Sequence, residues 1–448
     1  MFENNEYQAY TPGNFVSIPQ LSRLSEQEKR EIKIVAEVLP FKSNSYVVNE
    51  LIDWDNYSED PIFRLNFPSR EMLIDAHYKR IANAVEQGSD KKEIRKIANE
   101  IRLELNPHPA GQLKMNVPKL RGRYLHGLQH KYNETVLFFP SQGQTCHAYC
   151  TFCFRWPQFS GMDGMKFASR DADNLTAYLR AHKEVTNVLF TGGDPLIMST
   201  ALLTKYLEPL LHPDFDHIHT IRIGSKALAY WPYRFLTDKD SDALISLFER
   251  INSAGKHLTL MAHFNHPIEI STQAVKQAII KIRLTGTEIR TQSPVMKHIN
   301  DSAEIWAEMW KTQVSLGMIP YYMFMARDTG AHHYFNISIK QAHDIYRNAY
   351  SQVSGMSKTV RGPVMSAAPG KIHVVGINEI GGEKIFVLQF LQARNPEWVR
   401  IPFFAKYNEN ASWLTDLEPF AEEKFFWQDN SRPLAAGRSL KAIYQEEE

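Results

Sequence analysis

All three cysteines of this 448-residue chain lie within the segment CHAYCTFC, from Cys146 to Cys153. The C-x3-C-x2-C spacing supplies three thiolates, one ligand short of a tetrahedral zinc site, and an odd number of cysteines cannot close into disulfides. Three thiolates can hold three irons of a cubane cluster and leave the fourth iron open. The spacing therefore predicts a [4Fe–4S] cluster held by Cys146, Cys150 and Cys153.

A second chemical signal is the segment TGGDP, which ends the predicted strand after the cysteines. Adjacent glycines at a strand end, Gly192 and Gly193, would let the backbone approach a ligand closely, and Asp194 adds a carboxylate. The alternative is a tight turn that needs glycine. The position one strand after the cysteines favours a cofactor-binding role for all three residues.

The elements that would position these residues alternate between short apolar strands and helices from about residue 134 onwards. The predicted strands are Thr135–Pro140, Asn187–Thr191, His217–Ile223, His257–His263, Glu288–Gln292 and Ile319–Met325. The predicted helices between them are Ala172–His182, Leu202–Leu211, Asp240–Ala254, Thr272–Leu284 and Ser302–Leu316. Such alternation indicates a parallel sheet with right-handed crossovers, and six units favour a partial (β/α)6 barrel with its chemistry at the C-terminal strand ends.

The α/β chain is expected to have three regions: a helical N-terminal region (1–130), the partial barrel (131–372) and a small, partly β C-terminal extension (373–448). In the first region, Ser25 and Glu28 predict a capping box at the start of a helix over Leu24–Leu39, and 70–105 predicts two amphipathic helices broken at Gly88. In the last, IHVVGI, KIFVLQFL and VRIPFFA alternate like antiparallel strands.

The charge balance gives no sign of a polyanionic partner. There are 51 basic and 50 acidic side chains, for a net charge of +1, so neither a nucleic-acid nor a membrane partner is expected. The segment MFENNEYQAYTPGNF lacks a basic stretch followed by an apolar run, and no apolar stretch approaches the length of a membrane span. Clustered, unpaired cysteines suit a reducing compartment, so a cytoplasmic location is expected.

The cysteine segment and TGGDP together resemble the radical S-adenosylmethionine (radical SAM) superfamily. This resemblance implies that the open iron binds the amino and carboxylate groups of S-adenosyl-L-methionine. One electron, from an external donor, then cleaves the sulfonium to a 5′-deoxyadenosyl radical that abstracts hydrogen.

A closer resemblance, to the lysine 2,3-aminomutase family, covers about residues 120–372. Seven motifs occur in the family's order: HKYNETVLFFPS, CHAYCTFCFR, LFTGGDPL, IRIGSKALAYWPYRF, AHFNHPIEI, TQSPVMKHIND and PYYMF. The resemblance implies an isomerase that moves an α-amino group to the β-carbon of an amino acid or amino-acid-like substrate. That family uses a pyridoxal 5′-phosphate (PLP) imine and an aziridine-like radical, and its members tend to form homo-oligomers.

The resemblance assigns roles to individual residues. Arg155 matches the arginine that binds the substrate carboxylate, a task that suits the bidentate, permanently charged guanidinium. Lys371 falls where the family has its PLP-binding lysine. Contacts with S-adenosylmethionine or PLP are implied for four residues at successive strand ends: Ser225, Lys226, His263 and Gln292.

Two departures from the family pattern concern PLP and substrate. The glycine run before the family's lysine is shortened here to Pro-Gly, so a PLP-independent radical rearrangement or modification is the alternative. The two aspartates that bind the distal ammonium of lysine align with Arg327 and Ala368. An arginine would repel an ammonium and attract an anionic tail, whereas Asp328, shifted into the site, would keep a cationic substrate. The sequence predicts that free L-lysine is not the substrate.

Two other classes of protein explain less of the sequence. An electron-transfer protein would need the cysteines but not Arg155 or the paired glycines. A zinc-stabilised binding module could take His147 as its fourth ligand, but strand–helix alternation is not typical of small zinc folds. The late cysteines of the aminomutase's structural zinc site have no counterpart here.

Overall fold

The structure is a computed structural model that describes residues 6–106, 116–162 and 165–428. Residues 1–5 and 107–115 of the predicted N-terminal region, 163–164 of the predicted barrel and 429–448 of the predicted C-terminal extension therefore lie outside the described residues. The strands are β1 Ala9–Tyr10, β2 Ser43–Asn44, β3 Lys119–Leu120, β4 Arg123–Tyr124, β5 Leu128–Tyr132, β6 Thr135–Phe138, β7 Asn187–Phe190, β8 Thr220–Ser225, β9 His257–His263, β10 Glu288–Val295, β11 Ile319–Met325, β12 Arg361–Ser366, β13 Gly370–Ile380, β14 Glu383–Ala393 and β15 Pro402–Lys406.

Thirteen α-helices accompany these strands in the described ranges. They are α1 Glu26–Ala36, α2 Pro61–Asn66, α3 Asp75–Glu86, α4 Lys91–Glu104, α5 Ala172–Ala181, α6 Thr200–Leu207, α7 Ala227–Tyr230, α8 Ser241–Ser253, α9 Ile268–Ser271, α10 Gln273–Leu284, α11 Ala303–Ser315, α12 His332–Phe335 and α13 Ile339–Ser351. Short 3-10 turns connect several of them.

An 11-stranded sheet, β5 to β15 in unbroken chain order, forms the centre of the structure. Strands β6 to β12 are parallel, whereas β5 and β13 to β15 are antiparallel to their neighbours. Helices fill every crossover between the parallel strands. The predicted α/β class, with helices alternating along a mainly parallel sheet, is confirmed.

Local sequence explains several element boundaries. The Ser25 hydroxyl accepts a hydrogen bond from Glu28 N while the Glu28 carboxylate accepts one from Ser25 N, so α1 begins with the predicted capping box. Such a cap stabilises a helix by about 1 kcal/mol. Strand β8 alternates buried and half-buried residues, so Ile221 and Ile223 enter the core while Arg222 points to the other face.

The large sheet bends until its first strand meets the far end of the parallel run. Lys131 on β5 donates a 2.6 Å hydrogen bond to Ala367 O, just after β12. The amine of Lys371 on β13 lies 5.8 Å from the ring centroid of Tyr132, also on β5. These contacts bring β5 close to the end of β12 and to β13, although the strands β6 to β12 separate β5 from β13 in the sheet.

The N-terminal region differs from the helical expectation. Besides α1 to α4 it contains two small two-stranded sheets and β5, which is the edge strand of the large sheet. The β5 sequence LQHKY lacks a clear apolar–polar alternation, so no strand signal marked it.

One hydrophobic core joins the described regions, since a single cluster of buried side chains extends from Tyr10 to Phe425. The division at residues 130 and 372 remains a prediction. None of the described helices is both long and apolar enough to cross a bilayer.

Candidate active site

The cysteine loop follows β6 and is fastened to the loop after β7. Asp194 N donates to Gly143 O at 3.0 Å and to Thr145 O at 2.7 Å. A Cβ atom on Gly193 would lie 2.5 Å from Thr145 O, so only glycine permits this approach. The structure thus gives Gly193 a role in positioning the cysteine loop, and Gly192, at a φ of 148°, adopts a conformation that favours glycine.

Asp194 joins the ends of β7 and β8 through its buried carboxylate, while its backbone N–H binds the cysteine loop. Its Oδ2 accepts hydrogen bonds from Ser225 Oγ and Lys226 N, both at 2.9 Å, and its Oδ1 accepts one from Leu196 N at 2.9 Å. Burial nevertheless raises the pKa of this carboxyl group. With its oxygens occupied by these donors, Asp194 positions the cysteine loop and Ser225; direct contact with a cofactor stays a prediction for both.

Three residues of the N-terminal region donate hydrogen bonds to backbone carbonyl oxygens of the cysteine loop. Lys42 Nζ donates to Cys146 O at 2.7 Å, and Tyr7 Oη donates to His147 O at 2.7 Å. Asn44 Nδ2 also donates to His147 O, at 3.2 Å. These contacts were missed at the sequence level because no local pattern links residues more than 100 positions apart.

The three thiols lie in a desolvated, electrically coupled group. Burial raises the pKa of all three thiols. Charge on Asp194 and then on Cys153 also raises the Cys146 pKa, and burial and Cys153 together bring the Cys150 pKa to about 12. Such thiols ionise readily only when a metal supplies compensating charge.

The arrangement of the three thiols distinguishes a cluster site from a site for a single metal ion. No three His, Cys, Asp or Glu side chains in the described ranges converge on a point where they could hold a single ion. Thiolates of a cubane each bind a different iron, so they need not converge. Three free, soft sulfur donors on one loop therefore fit a cluster better than one zinc ion.

On the Cys150 side, Lys226 anchors a buried polar network. Its Nζ contacts Glu269 Oε1 at 2.6 Å and Asn265 Oδ1 at 2.7 Å, and it lies 4.3 Å from the Tyr230 ring centroid. Tyr230 Oη in turn lies 4.0 Å from Cys150 Sγ. Lys226 is therefore already neutralised by a protein carboxylate, which indicates a supporting role beside the cluster.

His263 ends β9, and Gln292 pairs with it from inside β10, which continues beyond the predicted end at Gln292 to Val295. The His263 ring meets the ring of Phe152, inside the cysteine segment, edge-on at 5.8 Å. Burial lowers the His263 pKa well below its usual value, so the ring is neutral. The half-buried amide of Gln292 has no hydrogen-bond partner within the described chain and is available to a ligand.

Two arginine side chains lie near the ring of Phe154, the residue after Cys153. The guanidinium carbon of Arg155 lies 5.2 Å from the Phe154 ring centroid, and that of Arg327 lies 5.0 Å from it. Arg155 Nη1 is buried without a hydrogen-bond partner. Burial and the charge of Arg327 together lower the Arg155 pKa to about 10, although charge on Cys153 and Cys146 partly opposes this lowering. The orphaned Arg155 donor suits an anionic ligand group.

The amine of Lys371 lies on the inner side of the sheet. Its Nζ donates to Gln392 Oε1 at 2.8 Å and lies 4.7 Å from the Tyr322 ring centroid. Burial, together with the charges of Arg222 and Arg361, lowers the Lys371 pKa to about 7. A lysine with this pKa is partly neutral at pH 7, which is the form that attacks a carbonyl.

Lys131, to which the sequence assigned no role, lies between the arginines near Phe154 and Lys371. Burial and the charges of Arg394, Arg327 and Lys371 lower its pKa to about 7. A series of electrostatic neighbours thus runs from Cys153 through Arg155, Arg327 and Lys131 to Lys371. The HKYNET motif contains Lys131, but its contacts depend on the bending of the sheet.

The remaining substrate candidates lie at the same end. Burial lowers the pKa of Arg327, and the charge of the nearby Asp328 partly opposes this lowering. Ala368 is exposed, and its carbonyl oxygen accepts a hydrogen bond from Arg394 Nε at 2.8 Å.

No protein-family model matches the chain, but several known proteins are similar to it in sequence. The chain is 33% identical to a protein of Aquifex aeolicus named "Putative L-lysine 2,3-aminomutase" over 409 residues, which cover 91% of this chain and 96% of that protein. It is 23% identical to the L-lysine 2,3-aminomutase of Methanococcus maripaludis, over 77% of this chain and 67% of that protein. For the L-lysine 2,3-aminomutase of Bacillus subtilis the values are 28%, 51% and 45%. A solved radical SAM methyltransferase from Sphaerobacter thermophilus aligns with a TM-score of 0.39 and 14% identity over 63% of this chain and 92% of that chain, too distant a likeness to support a conclusion.

Proposed function

Because the chain belongs to the lysine 2,3-aminomutase family of radical SAM enzymes, we propose that it moves an amino group from the α-carbon to the β-carbon of an amino acid. The observation that carries this proposal is the series of neighbours from Cys153 through Arg155, Arg327 and Lys131 to Lys371. This series connects a thiol loop, a guanidinium suited to a carboxylate and a nucleophilic amine.

We infer that Cys146, Cys150 and Cys153 hold a [4Fe–4S] cluster with S-adenosylmethionine at its open iron. When bound, the cluster supplies the electron that cleaves S-adenosylmethionine and so initiates hydrogen abstraction. The chain contributes position: Gly193 and Asp194 hold the cysteine loop from one side. The unpartnered amide of Gln292 is a candidate contact for S-adenosylmethionine.

Lys371 is the proposed attachment point for PLP. PLP, when bound, supplies the group that carries the migrating nitrogen. Two features support the fit: the partly neutral amine, and the charges of Arg222 and Arg361 beside it, which suit an anionic phosphate. The shortened Pro-Gly segment before Lys371 and its hydrogen bond to Gln392 favour the alternative, a PLP-independent radical rearrangement or modification.

Arg155 is the proposed clamp for the substrate carboxylate, and free L-lysine is not the proposed substrate. A distal ammonium would meet Arg327 and Lys131, which are neighbours in the same space. Two like charges about 5 Å apart repel by about 3 kcal/mol at an effective dielectric constant of 20. That energy corresponds to about a hundredfold loss of affinity.

We further propose that the sheet is a partial (β/α)6-type barrel with terminal extensions. The chain order of β6 to β12 and the Lys131–Ala367 hydrogen bond support this proposal. Chemistry in such barrels lies at the C-terminal strand ends. Three free thiols and a cluster also favour a reducing, cytoplasmic location, an external electron donor and, by family resemblance, association of subunits.

The test is an anaerobic reaction of the reconstituted protein with S-adenosylmethionine, reductant, PLP and a panel of amino acids. Release of 5′-deoxyadenosine together with a β-amino acid would support the proposal, and Cys146→Ala should abolish both. A visible absorption band of bound PLP should disappear in Lys371→Ala. Release of 5′-deoxyadenosine that is equal in Lys371→Ala, without a β-amino acid, would instead support the PLP-independent alternative.

A further inference from the structure

The candidate site contains a group of unpaired cations. Its members have no ion-pair partner within the described part of the chain: Lys131, Arg155, Arg327 and Lys371. Arg155 and Arg327 both lie near the Phe154 ring, and Lys131 and Lys371 both lie near the Tyr132 ring. Lys131 and Arg327 donate only to backbone carbonyl oxygens, and Lys371 donates to an uncharged amide.

Two other buried cations of the same chain have carboxylate partners, whereas Arg102 and Lys256 donate only to uncharged groups. Lys226 Nζ lies 2.6 Å from Glu269 Oε1, and Arg234 Nη1 lies 2.7 Å from Asp240 Oδ1. In the cation group, the carboxylate of Asp328 raises the pKa of Arg327, but one carboxylate does not balance four cationic side chains. Burial of like charges without compensation is unfavourable, so the group is arranged for anions that arrive from outside.

The positions of the two arginines indicate how many anionic groups are expected from the substrate. The guanidinium carbons of Arg155 and Arg327 lie 5.2 and 5.0 Å from the Phe154 ring centroid, and Arg155 Nη1 is a buried donor without a partner. A guanidinium binds one carboxylate in a bidentate fork. If Arg155 takes the α-carboxylate, Arg327 remains for a second anionic group on the same molecule.

We propose that the substrate is an acidic α-amino acid whose two carboxylates are bound by Arg155 and Arg327. This inference rests on the proposed amino migration. That reaction breaks the C–N bond at the α-carbon and forms one at the β-carbon, while one hydrogen moves from the β-carbon to the α-carbon. The substrate and product are therefore isomers, and no net oxidation or reduction occurs.

The same chemistry restricts the length of the side chain. In aspartate, migration from the α-carbon to the β-carbon regenerates aspartate, because each of these carbons carries one carboxylate. A productive substrate must have at least one further methylene, as in L-glutamate, which would yield 3-aminoglutarate. Aspartate then serves as a ligand that carries both anionic groups but cannot give a new product.

The experiment measures binding and turnover separately on the reconstituted holoenzyme. The dissociation constants of L-glutamate, L-glutamine and L-lysine are determined by calorimetry with S-adenosylmethionine present and no reductant. L-glutamate should bind on the order of 100-fold more tightly than either of the others, which lack the second carboxylate. Arg327→Asp should reverse the order of L-glutamate and L-lysine, and Arg327→Lys should retain the wild-type order.

The control variant is Arg180→Asp, which makes the same change of charge at an exposed position paired with Asp214; it should leave all three constants unchanged. Equal binding of L-glutamine and L-glutamate, or an unchanged order in Arg327→Asp, would overturn the inference. Turnover tests the reaction independently: if L-glutamate binds selectively but reductant releases no 5′-deoxyadenosine with any amino acid, the proposed function fails while the binding assignment stands.

Discussion

Lys42 donates a 2.7 Å hydrogen bond to the carbonyl oxygen of Cys146, 104 residues further along the chain. Its ammonium charge also acts on the Cys146 thiol, while burial lowers the Lys42 pKa. A lysine from the N-terminal region is thus built into the proposed cluster site. The N-terminal region is accordingly part of the site, not only a cover for the sheet.

Replacement of this lysine should change the electronic properties of the cluster. In Lys42→Met the loss of a nearby positive charge disfavours the reduced cluster, so its midpoint potential should fall by on the order of 50 mV. Potentiometry followed by electron paramagnetic resonance measures this shift. The control Lys96→Met, on an exposed face of α4, should show none. A potential that is equal in both variants would exclude an electrostatic role for Lys42.

Gly193 should be required for assembly of the site. Gly193→Ala would force a Cβ atom to 2.5 Å from Thr145 O, and such overpacking typically costs about 1–3 kcal/mol. We expect lower stability in urea and a reduced iron content after reconstitution. Gly355→Ala, where a Cβ atom would meet nothing within 4 Å, should retain both properties. Iron content equal in the two variants would show that the close approach is unnecessary.

Two buried lysines should respond in opposite directions to the same substitution. Lys131→Met removes a cation that lies among other cations, so the apoprotein should become more stable by about 1–2 kcal/mol. Lys226→Met strands the fully buried Glu269 and should cost about 3–5 kcal/mol. Urea unfolding of the apoprotein at pH 7 measures both changes. A change of the same sign in both variants would contradict the contrast.

The stabilisation from Lys131→Met should also depend on pH. Folding lowers the Lys131 pKa from 10.5 to about 7, so protonation disfavours the folded state: the penalty is complete below pH 7 and disappears as the pH rises towards 10.5. The gain in stability of the variant should therefore shrink between pH 7 and 9. A gain that is constant over this range would mean that desolvation of the Lys131 charge is not its cause.

Attachment of PLP should follow the protonation of Lys371. Because its pKa is lowered to about 7, the amine is mostly charged at pH 5.5 and mostly neutral at pH 8.5. The absorption band of covalently held PLP should therefore form faster as the pH rises, with a midpoint near 7. A midpoint close to 10, the ordinary value for lysine, would show that burial and the charges of Arg222 and Arg361 do not lower the pKa of this amine.

The sequence predicted much of the sheet because local patterns carry it. The bounds of β9 and β11 are those of the predicted segments, and the six predicted parallel strands are all present. The seventh, β12, went unpredicted because its sequence RGPVMS contains Gly362 and Pro363, which normally indicate a turn. The three strands of the C-terminal extension are also present, but they continue the main sheet.

The site was only partly predictable, for a physical reason. Cysteine spacing is local information, and it predicted the loop on which Cys146, Cys150 and Cys153 lie. Lys42 and Lys131 reach the site only through long-range packing: the first from the N-terminal region, the second across the bend of the sheet. Neither has a sequence signal of its own, so their neighbours could not be inferred before the fold was known.

The proposed reaction moves an amino group from the α-carbon to the β-carbon. The most direct measurement is nitrogen NMR of the product formed anaerobically from L-glutamate labelled with ¹⁵N at the amino group, with S-adenosylmethionine, PLP and reductant. We expect ¹⁵N bound to the β-carbon in the wild-type protein and no conversion in Cys146→Ala or Lys371→Ala. Release of 5′-deoxyadenosine with all ¹⁵N still on the α-carbon would contradict it.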